Sequence, residues 1–120
     1  MTDAYKGLID GDEKPEQTAV RELKEETGYV GEVIKATELM YCDPGLSSAN
    51  MKAVYVKIDM NNSVNKNPRP ELDEGEYIET FTLPLKNLYQ SLNELAEQGH
   101  TIDARLMHFA MGLDVASTLN

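Results

Sequence analysis

The sequence contains no tryptophan, a single cysteine and few basic residues, and each shortage excludes a class of protein. Cys42 has no partner for an internal disulfide, which favours a reducing compartment such as the cytosol. Eleven lysines and arginines against 21 acidic residues give a net charge of −10, so we expect no nucleic acid partner. An acidic protein can still bind phosphates when divalent cations lie between the two negative groups.

Long apolar runs and a leader-like N-terminus are also missing. No stretch approaches the ~18 to 20 apolar residues needed to span a bilayer, so we expect no membrane partner. The first residues, MTDAYK, contain neither the basic nor the apolar segment of a secretory signal, which again predicts a cytoplasmic protein. A length of 120 residues with 41% apolar residues predicts one folded domain over residues 1–120.

The remaining pattern alternates between helical and extended periodicity and predicts an α/β fold. A helix is expected at 15–27, with Pro15 in its first turn and Gly28 just after its end. Two further helices are expected at 85–98 and 101–117. Strands are predicted at 32–42, 51–60 and 76–84, a turn-rich loop at 43–50 and a long mobile loop at 61–75.

In two of these elements, apolar residues are expected to share one face. On the second strand, these residues are Val54, Val56, Ile58 and Met60. The expected apolar stripe of the last helix consists of Ile102, Leu106, Phe109 and Leu113.

Three glutamates, Glu22, Glu25 and Glu26, lie on one face of the first predicted helix, because residues three and four apart are neighbours there. Like charges at this spacing repel, and Arg21 can neutralise only part of the set. A divalent cation would relieve the repulsion, and Mg²⁺ prefers carboxylate oxygens of this kind. Acidic helix faces are nevertheless most often simply solvated, so both interpretations remain open at this point.

The acidic helix belongs to a longer pattern, G-x5-E-x7-R-E-U-x-E-E-x-G-U, in which U is a bulky apolar residue. The residues that match it are Gly7, Glu13, Arg21, Glu22, Leu23, Glu25, Glu26, Gly28 and Tyr29. At about 7% per position, seven fixed letters coincide about once in 10⁸ starting points, which argues against a purely structural acidic domain with a chance motif. The pattern resembles the signature of the Nudix hydrolases.

This resemblance implies a Nudix α/β/α sandwich with a mixed sheet and a metal-dependent hydrolase. The metal ligands that it implies are Glu22, Glu25, Glu26 and the carbonyl oxygen of Lys6. The metal would be Mg²⁺, or alternatively Mn²⁺. Glu13 would orient Arg21, and Arg21 would in turn hold a ligand glutamate in place.

The wording GLIDGDEKPEQTAVRELKEETGY is especially similar to the ADP-ribose pyrophosphatase branch, and the similarity continues through CDPGLS (42–47), DEGEYIETFTLP (73–84) and TIDAR (101–105). That branch implies hydrolysis of ADP-ribose or a related ADP-sugar to AMP and a sugar phosphate, by a homodimer. Glu76 or Glu25 would accept the proton of the attacking water. The expected substrate contacts are Leu8, Asp43, Gly45 and Ser47, although Asp43 and Ser47 are also ordinary turn-forming residues.

Only six residues precede Gly7, whereas Nudix enzymes normally place several strands before this motif. We therefore expect a Nudix domain that lacks its usual N-terminal region and covers the exposed sheet edge and apolar surface by self-association. Two interpretations follow from the sequence. The chain is a hydrolase of the ADP-ribose type, or it is a catalytically impaired remnant that acts as a nucleotide-binding or regulatory module.

Overall fold

The computed structural model describes residues 2–3 and 12–119, and the chain divides into two compact units, Met1–Glu79 and Thr80–Asn120. The elements in chain order are β1 (Thr2–Asp3), α1 (Pro15–Thr27), β2 (Glu32–Ala36), β3 (Met40–Tyr41), β4 (Asn50–Met51), β5 (Val54–Lys57), a 3₁₀ turn (Ser63–Asn65), α2 (Leu88–Glu97) and α3 (Ala104–Leu119). In the part of the chain that the structure describes, the helices are too short or too polar to cross a membrane.

Three strands of the first unit form an antiparallel sheet in the order β1-β5-β2, and β3 pairs with β4 in a separate antiparallel hairpin. Val33 lies opposite Val56 and Lys35 lies opposite Tyr55, so Ile34 is an extra residue in β2. Such a bulge bends its strand. The combination of helices and sheet confirms the predicted α/β class.

The core of the first unit forms between α1 and β5. Ala19 and Leu23, one turn apart on the helix, pack with Val54 and Val56, which share one face of the strand. All four side chains are at most 6% exposed. This packing fixes the rotation of α1 and leaves the side of the helix opposite Leu23, where Glu25 lies, outside the core.

The second unit has its own core, made by α2 and α3, in which Leu88, Leu92 and Ala110 are buried. Three of the four residues in the predicted stripe do not pack as expected, because Leu106, Phe109 and Leu113 are 41%, 38% and 39% exposed. The fourth, Ile102, packs against this core. Since α3 is apolar around most of its circumference, periodicity alone could not select its packed face. The small side chain of Ala110 is completely buried at the contact and permits close packing against α2.

The strand predicted at 76–84 is also wrong, since none of these residues belongs to a strand in the structure. Tyr77 is 95% exposed and Phe81 is 57% exposed, so the alternating side chains have no buried face. Alternation produces a strand only where the backbone finds a hydrogen-bonding partner. The boundary between the two units falls within this segment.

The other two predicted strands are each interrupted. Thr37 ends β2 because its N–H donates to the Ala53 carbonyl at 2.9 Å while its Oγ1 accepts the Ala53 N–H at 2.9 Å. The second strand ends early, at Lys57, so Met60 lies beyond it and is 53% exposed. The chain turns at Asp59, whose Oδ1 accepts the Asn61 N–H at 2.9 Å.

The loop at 61–75, predicted to be mobile, is fastened to the body of the first unit by Asn65. This side chain is 2% exposed. Its Oδ1 accepts the Val30 N–H at 2.8 Å, and its Nδ2 donates to the Val30 carbonyl at 3.1 Å and to the Asp59 carbonyl at 2.9 Å. One buried amide therefore has its hydrogen-bonding groups satisfied by two backbone segments and joins them.

We expect Asn65→Ala to lower the free energy of unfolding by about 2–3 kcal/mol, because it removes the three hydrogen bonds of a buried side-chain amide to the backbone of Val30 and Asp59. Urea unfolding measures the loss. Asn62→Ala is the matched control in the same loop, since the side chain of exposed Asn62 accepts the Val64 N–H at 3.1 Å. Its expected cost is about 1 kcal/mol or less. Equal losses would contradict a bridging role for Asn65.

Candidate metal centre

Helix α1 begins and ends where its sequence signals predict. Pro15 occupies the first turn, and the Gln17 side-chain oxygen accepts the N–H of Lys14, the N-cap residue, at 2.9 Å. Gly28 follows the last turn with a left-handed φ of 81°, and its N–H donates to the Lys24 carbonyl at 2.8 Å. The acidic residues predicted to share one face therefore lie on a regular helix.

Arg21 divides its guanidinium between one carboxylate before the helix and two on it. Nε donates to Glu13 Oε2 at 3.0 Å and Nη2 donates to Glu13 Oε1 at 3.1 Å. The remaining nitrogen, Nη1, donates to Glu22 Oε1 at 3.1 Å and to Glu25 Oε2 at 3.2 Å. The planar fork of arginine suits this division, because each edge can face a different anion.

The cluster is partly shielded from water. The side chains of Glu13, Glu22 and Arg21 are 18%, 20% and 28% exposed, whereas Glu25 is 40% exposed. The hydrogen bond to Glu13 raises the pKa of Arg21 above its already high usual value; burial opposes this shift and the bond to Glu25 adds to it. Because the folded-state pKa is raised, this stabilisation is present below the unfolded-state pKa and is lost only in strong alkali.

Two carboxylates of α1 offer oxygen atoms of the kind that bind divalent cations. Glu22 and Glu25 both reach the same nitrogen of Arg21, so their oxygens converge on one centre of positive charge. Oxygen ligands of this type suit Mg²⁺ and Mn²⁺. Within residues 2–3 and 12–119, no three acidic, histidine or cysteine side chains are arranged as a ready metal cage. Glu26 is half-buried on the same helix. The assignment of these three glutamates as ligands stays a prediction.

The other residues expected at the centre are placed as follows. Lys6, Gly7 and Leu8 lie outside the described residues. Glu76 is exposed, and its Oε1 accepts the Asp73 N–H at 2.9 Å while its own N–H donates to the Asp73 carbonyl at 3.0 Å. The Glu76 carboxylate therefore stabilises the turn between Asp73 and Glu76. A role as general base, which would require it to release Asp73, stays a prediction.

The CDPGLS segment forms the exposed connection between β3 and β4. The Asp43 carbonyl accepts the N–H groups of Leu46 at 3.0 Å and Ser47 at 2.9 Å. The Ser47 hydroxyl accepts the Ala49 N–H at 3.2 Å. These bonds build a tight turn around Gly45, as the turn-forming interpretation predicts. The expected substrate contacts of Asp43, Gly45 and Ser47 stay predictions.

Two features near the carboxylate cluster were not predicted from the sequence. Thr18 is completely buried and its hydroxyl lies 2.6 Å from Glu13 Oε1. The Glu71 N–H donates to the Glu25 carbonyl at 2.7 Å, which ties the loop at 61–75 to the end of α1. Thr18 precedes Ala19 in the core-facing part of α1, and a polar residue at such a position indicates a buried hydrogen-bond partner. The contact of Glu71 has no local signal, because the two residues are distant in sequence.

Comparison with known proteins agrees with the acidic motif. The model of the NUDIX domain family matches residues 2–108 of the chain. An uncharacterized Nudix hydrolase of Schizosaccharomyces pombe is 50% identical over 107 residues, which are 89% of this chain and 52% of that protein.

Two further relatives have names that state an activity. The ADP-ribose pyrophosphatase of Saccharomyces cerevisiae is 38% identical over 92% of this chain and 48% of its own length. The ADP-sugar pyrophosphatase of Mus musculus is 39% identical over 93% of this chain and 52% of its own length. The chain therefore spans about half the length of these curated relatives.

Proposed function

The chain belongs to the Nudix family, and we propose that it hydrolyses the diphosphate bond of ADP-ribose or a related ADP-sugar to give AMP and a sugar phosphate. The observation that carries this proposal is the convergence of Glu22 and Glu25 on a single nitrogen of Arg21, within a helix that the family motif covers. The names of the yeast and mouse relatives support the choice of substrate class.

Charge explains why such a site needs a cation. A chain with a net charge of −10 repels a diphosphate, and the acidic face of α1 would repel it further. We assign Glu22, Glu25 and Glu26 as ligands of Mg²⁺ or Mn²⁺, with the Lys6 carbonyl as the fourth protein ligand. When bound, the cation neutralises the diphosphate and makes water a usable nucleophile at neutral pH.

The residues of the chain itself then have separate tasks. Glu13 holds the Nε and Nη2 edge of Arg21, so that Nη1 faces Glu22 and Glu25 and sets the spacing of the two carboxylates. A carboxylate accepts the proton of the attacking water. Glu25 and Glu76 are the two candidates for that role, and the loop residues Asp43, Gly45 and Ser47, together with Leu8, are the candidates for holding the nucleotide or sugar.

Incubation with ADP-ribose, other ADP-sugars and dinucleotides tests the proposal. We expect AMP to form in the presence of Mg²⁺ or Mn²⁺, to stop on addition of EDTA and to resume when excess metal is restored. Chromatography of the products measures it. Nucleotide binding without AMP formation would favour the remnant interpretation, a binding or regulatory module, and AMP formation unaffected by EDTA would contradict the metal assignment.

We further propose that the chain acts in the cytoplasm as a homodimer. The exposed apolar residues of α3 support association, since Phe109, Leu113 and Val115 are 38%, 39% and 52% exposed. This helix contains one arginine and one aspartate, so a second copy could approach it without the repulsion that the acidic remainder of the chain imposes. Sedimentation velocity should show a dimer that Val115→Glu dissociates; a wild-type monomer at all concentrations would contradict it.

A further inference from the structure

Thr18 is a buried polar residue of α1 whose hydroxyl also reaches an acceptor outside the helix. Its side chain is completely buried beside Ala19. Its hydroxyl has two oxygens within reach, Glu13 Oε1 at 2.6 Å and the Lys14 carbonyl at 3.1 Å. A threonine in this position of a helix usually donates to the carbonyl of the preceding turn.

The hydroxyl carries a single proton, so it can donate fully to only one of the two oxygens. The shorter contact leads to a carboxylate, and hydrogen bonds to charged acceptors are about twice as strong as neutral ones. The proton of Thr18 therefore belongs to Glu13. The Lys14 carbonyl already accepts the N–H of Thr18 at 3.0 Å, so it does not depend on the hydroxyl.

Glu13 Oε1 also accepts hydrogen bonds from Arg21, at 3.3 Å from Nε and 3.1 Å from Nη2. The buried hydroxyl thus holds the same oxygen that orients the guanidinium. If Glu13 turned away, Glu22 and Glu25 would balance a larger share of the positive charge of Arg21. Those two carboxylates would then be more strongly occupied by Arg21 and less available to a cation.

We propose that Thr18 is a positioning residue for the metal centre, whose buried hydroxyl locks Glu13 against Arg21 and thereby lowers the competition between Arg21 and a divalent cation for Glu22 and Glu25. This inference rests on the proposed function, because it assumes that the two glutamates bind the metal. The chain of contacts runs from Thr18 through Glu13 to Arg21, and from Arg21 to Glu22.

Two substitutions separate the hydroxyl from the volume of the side chain. Thr18→Val keeps the volume and removes the donor, whereas Thr18→Ser keeps the donor and removes a buried methyl group. Titration of each full-length variant with Mn²⁺, followed by electron paramagnetic resonance, measures metal affinity. We expect Thr18→Val to weaken Mn²⁺ binding by about three- to tenfold, somewhat less than the loss on removing a direct partner of a ligand.

Thr18→Ser should bind Mn²⁺ within about twofold of the wild type, even though the lost methyl lowers its folding equilibrium constant by about fourfold. If Thr18 had a structural role alone, the Mn²⁺ affinity and the folding equilibrium constant would fall together in both variants. Mn²⁺ affinity of Thr18→Val equal to that of the wild type, or an equal loss of affinity in Thr18→Ser, would overturn the inference.

If the wild type binds no Mn²⁺, the proposed function is refuted. A second measurement then tests the link between Thr18 and Glu13 without any metal. In urea unfolding, Thr18→Val should lower the folding equilibrium constant by about tenfold in the wild type, because a hydrogen bond to a charged group is lost. The same substitution should have little effect in the Glu13→Ala background, where that acceptor is absent. Equal effects in the two backgrounds would overturn the link between Thr18 and Glu13.

Discussion

Gly28→Ala should lower the free energy of unfolding by about 4 kcal/mol, through two costs that act together. The φ of Gly28 is +81°, a left-handed conformation that costs an alanine about 1–2 kcal/mol. A Cβ atom there would also lie 2.2 Å from the Arg69 nitrogen and 2.7 Å from the Pro68 carbonyl carbon, both of them backbone atoms. Because a backbone cannot rotate away as a side chain can, the loop at 61–75 would have to detach from the end of α1.

Gly75→Ala is the matched control for this prediction. Gly75 has a similar φ of +87° and lies in the same unit, but no atom lies within 4 Å of its Cβ position. It therefore has the conformational cost alone, about 1–2 kcal/mol. Urea unfolding of the two variants isolates the steric cost as the difference between them. Similar losses for Gly28→Ala and Gly75→Ala would show that the loop does not press against the helix end.

The contrast between these two glycines shows how far the sequence could go. Gly28 was predicted as a helix terminator from its place after Thr27, and that local signal is correct. The second, steric constraint on Gly28 comes from the backbone of Pro68 and Arg69. No local sequence pattern predicts a contact between residues so distant in sequence. Predictions from adjacent residues succeeded here, whereas those that required a tertiary partner did not.

The same distinction accounts for the strands and the last helix. Val54 and Val56 were predicted to share one face of a strand, and that face is buried because α1 packs against it through Leu23. The alternation at 76–84 was equally regular, but its backbone has no strand partner in the described structure. On α3 the apolar residues surround the helix, so only the contact with α2 decides that Ala110 is the buried residue.

At the candidate site the sequence predicted which residues share a face, but not how their charges are arranged. Helical geometry placed Glu22 and Glu25 together, and the structure confirms that they are close enough to share Nη1 of Arg21. The hydroxyl of Thr18 and the division of the guanidinium between two edges depend on side-chain conformations. Side-chain conformations are set by packing and by hydrogen bonds, which cannot be inferred from the spacing of residues in the sequence.

Glu25→Gln should reduce the rate of AMP release from ADP-ribose by about 10²-fold or more, because a neutral amide is a poor ligand for Mg²⁺ and the site loses several kcal/mol of charge stabilisation. Its stability should change little. The Glu25 side chain is 40% exposed, and ion pairs that open to solvent contribute about 1 kcal/mol or less. The backbone bond from Glu71 to the Glu25 carbonyl is unaffected by the substitution.

Glu16→Gln is the matched control, since it removes the same charge from the same helix. Glu16 and Glu25 are nine positions apart, which places the two on opposite sides of α1 at about 100° per residue. We expect Glu16→Gln to keep its AMP release within about twofold of the wild type and to lose only a few tenths of a kcal/mol near the helix N-terminus. If both variants release AMP at equal rates, the acidic face of α1 is a solvated surface and the hydrolysis depends on other residues. If AMP release falls only in Glu25→Gln, with Mn²⁺ affinity lowered in parallel and urea unfolding unchanged, the metal binds at the carboxylates that are hydrogen-bonded to Arg21.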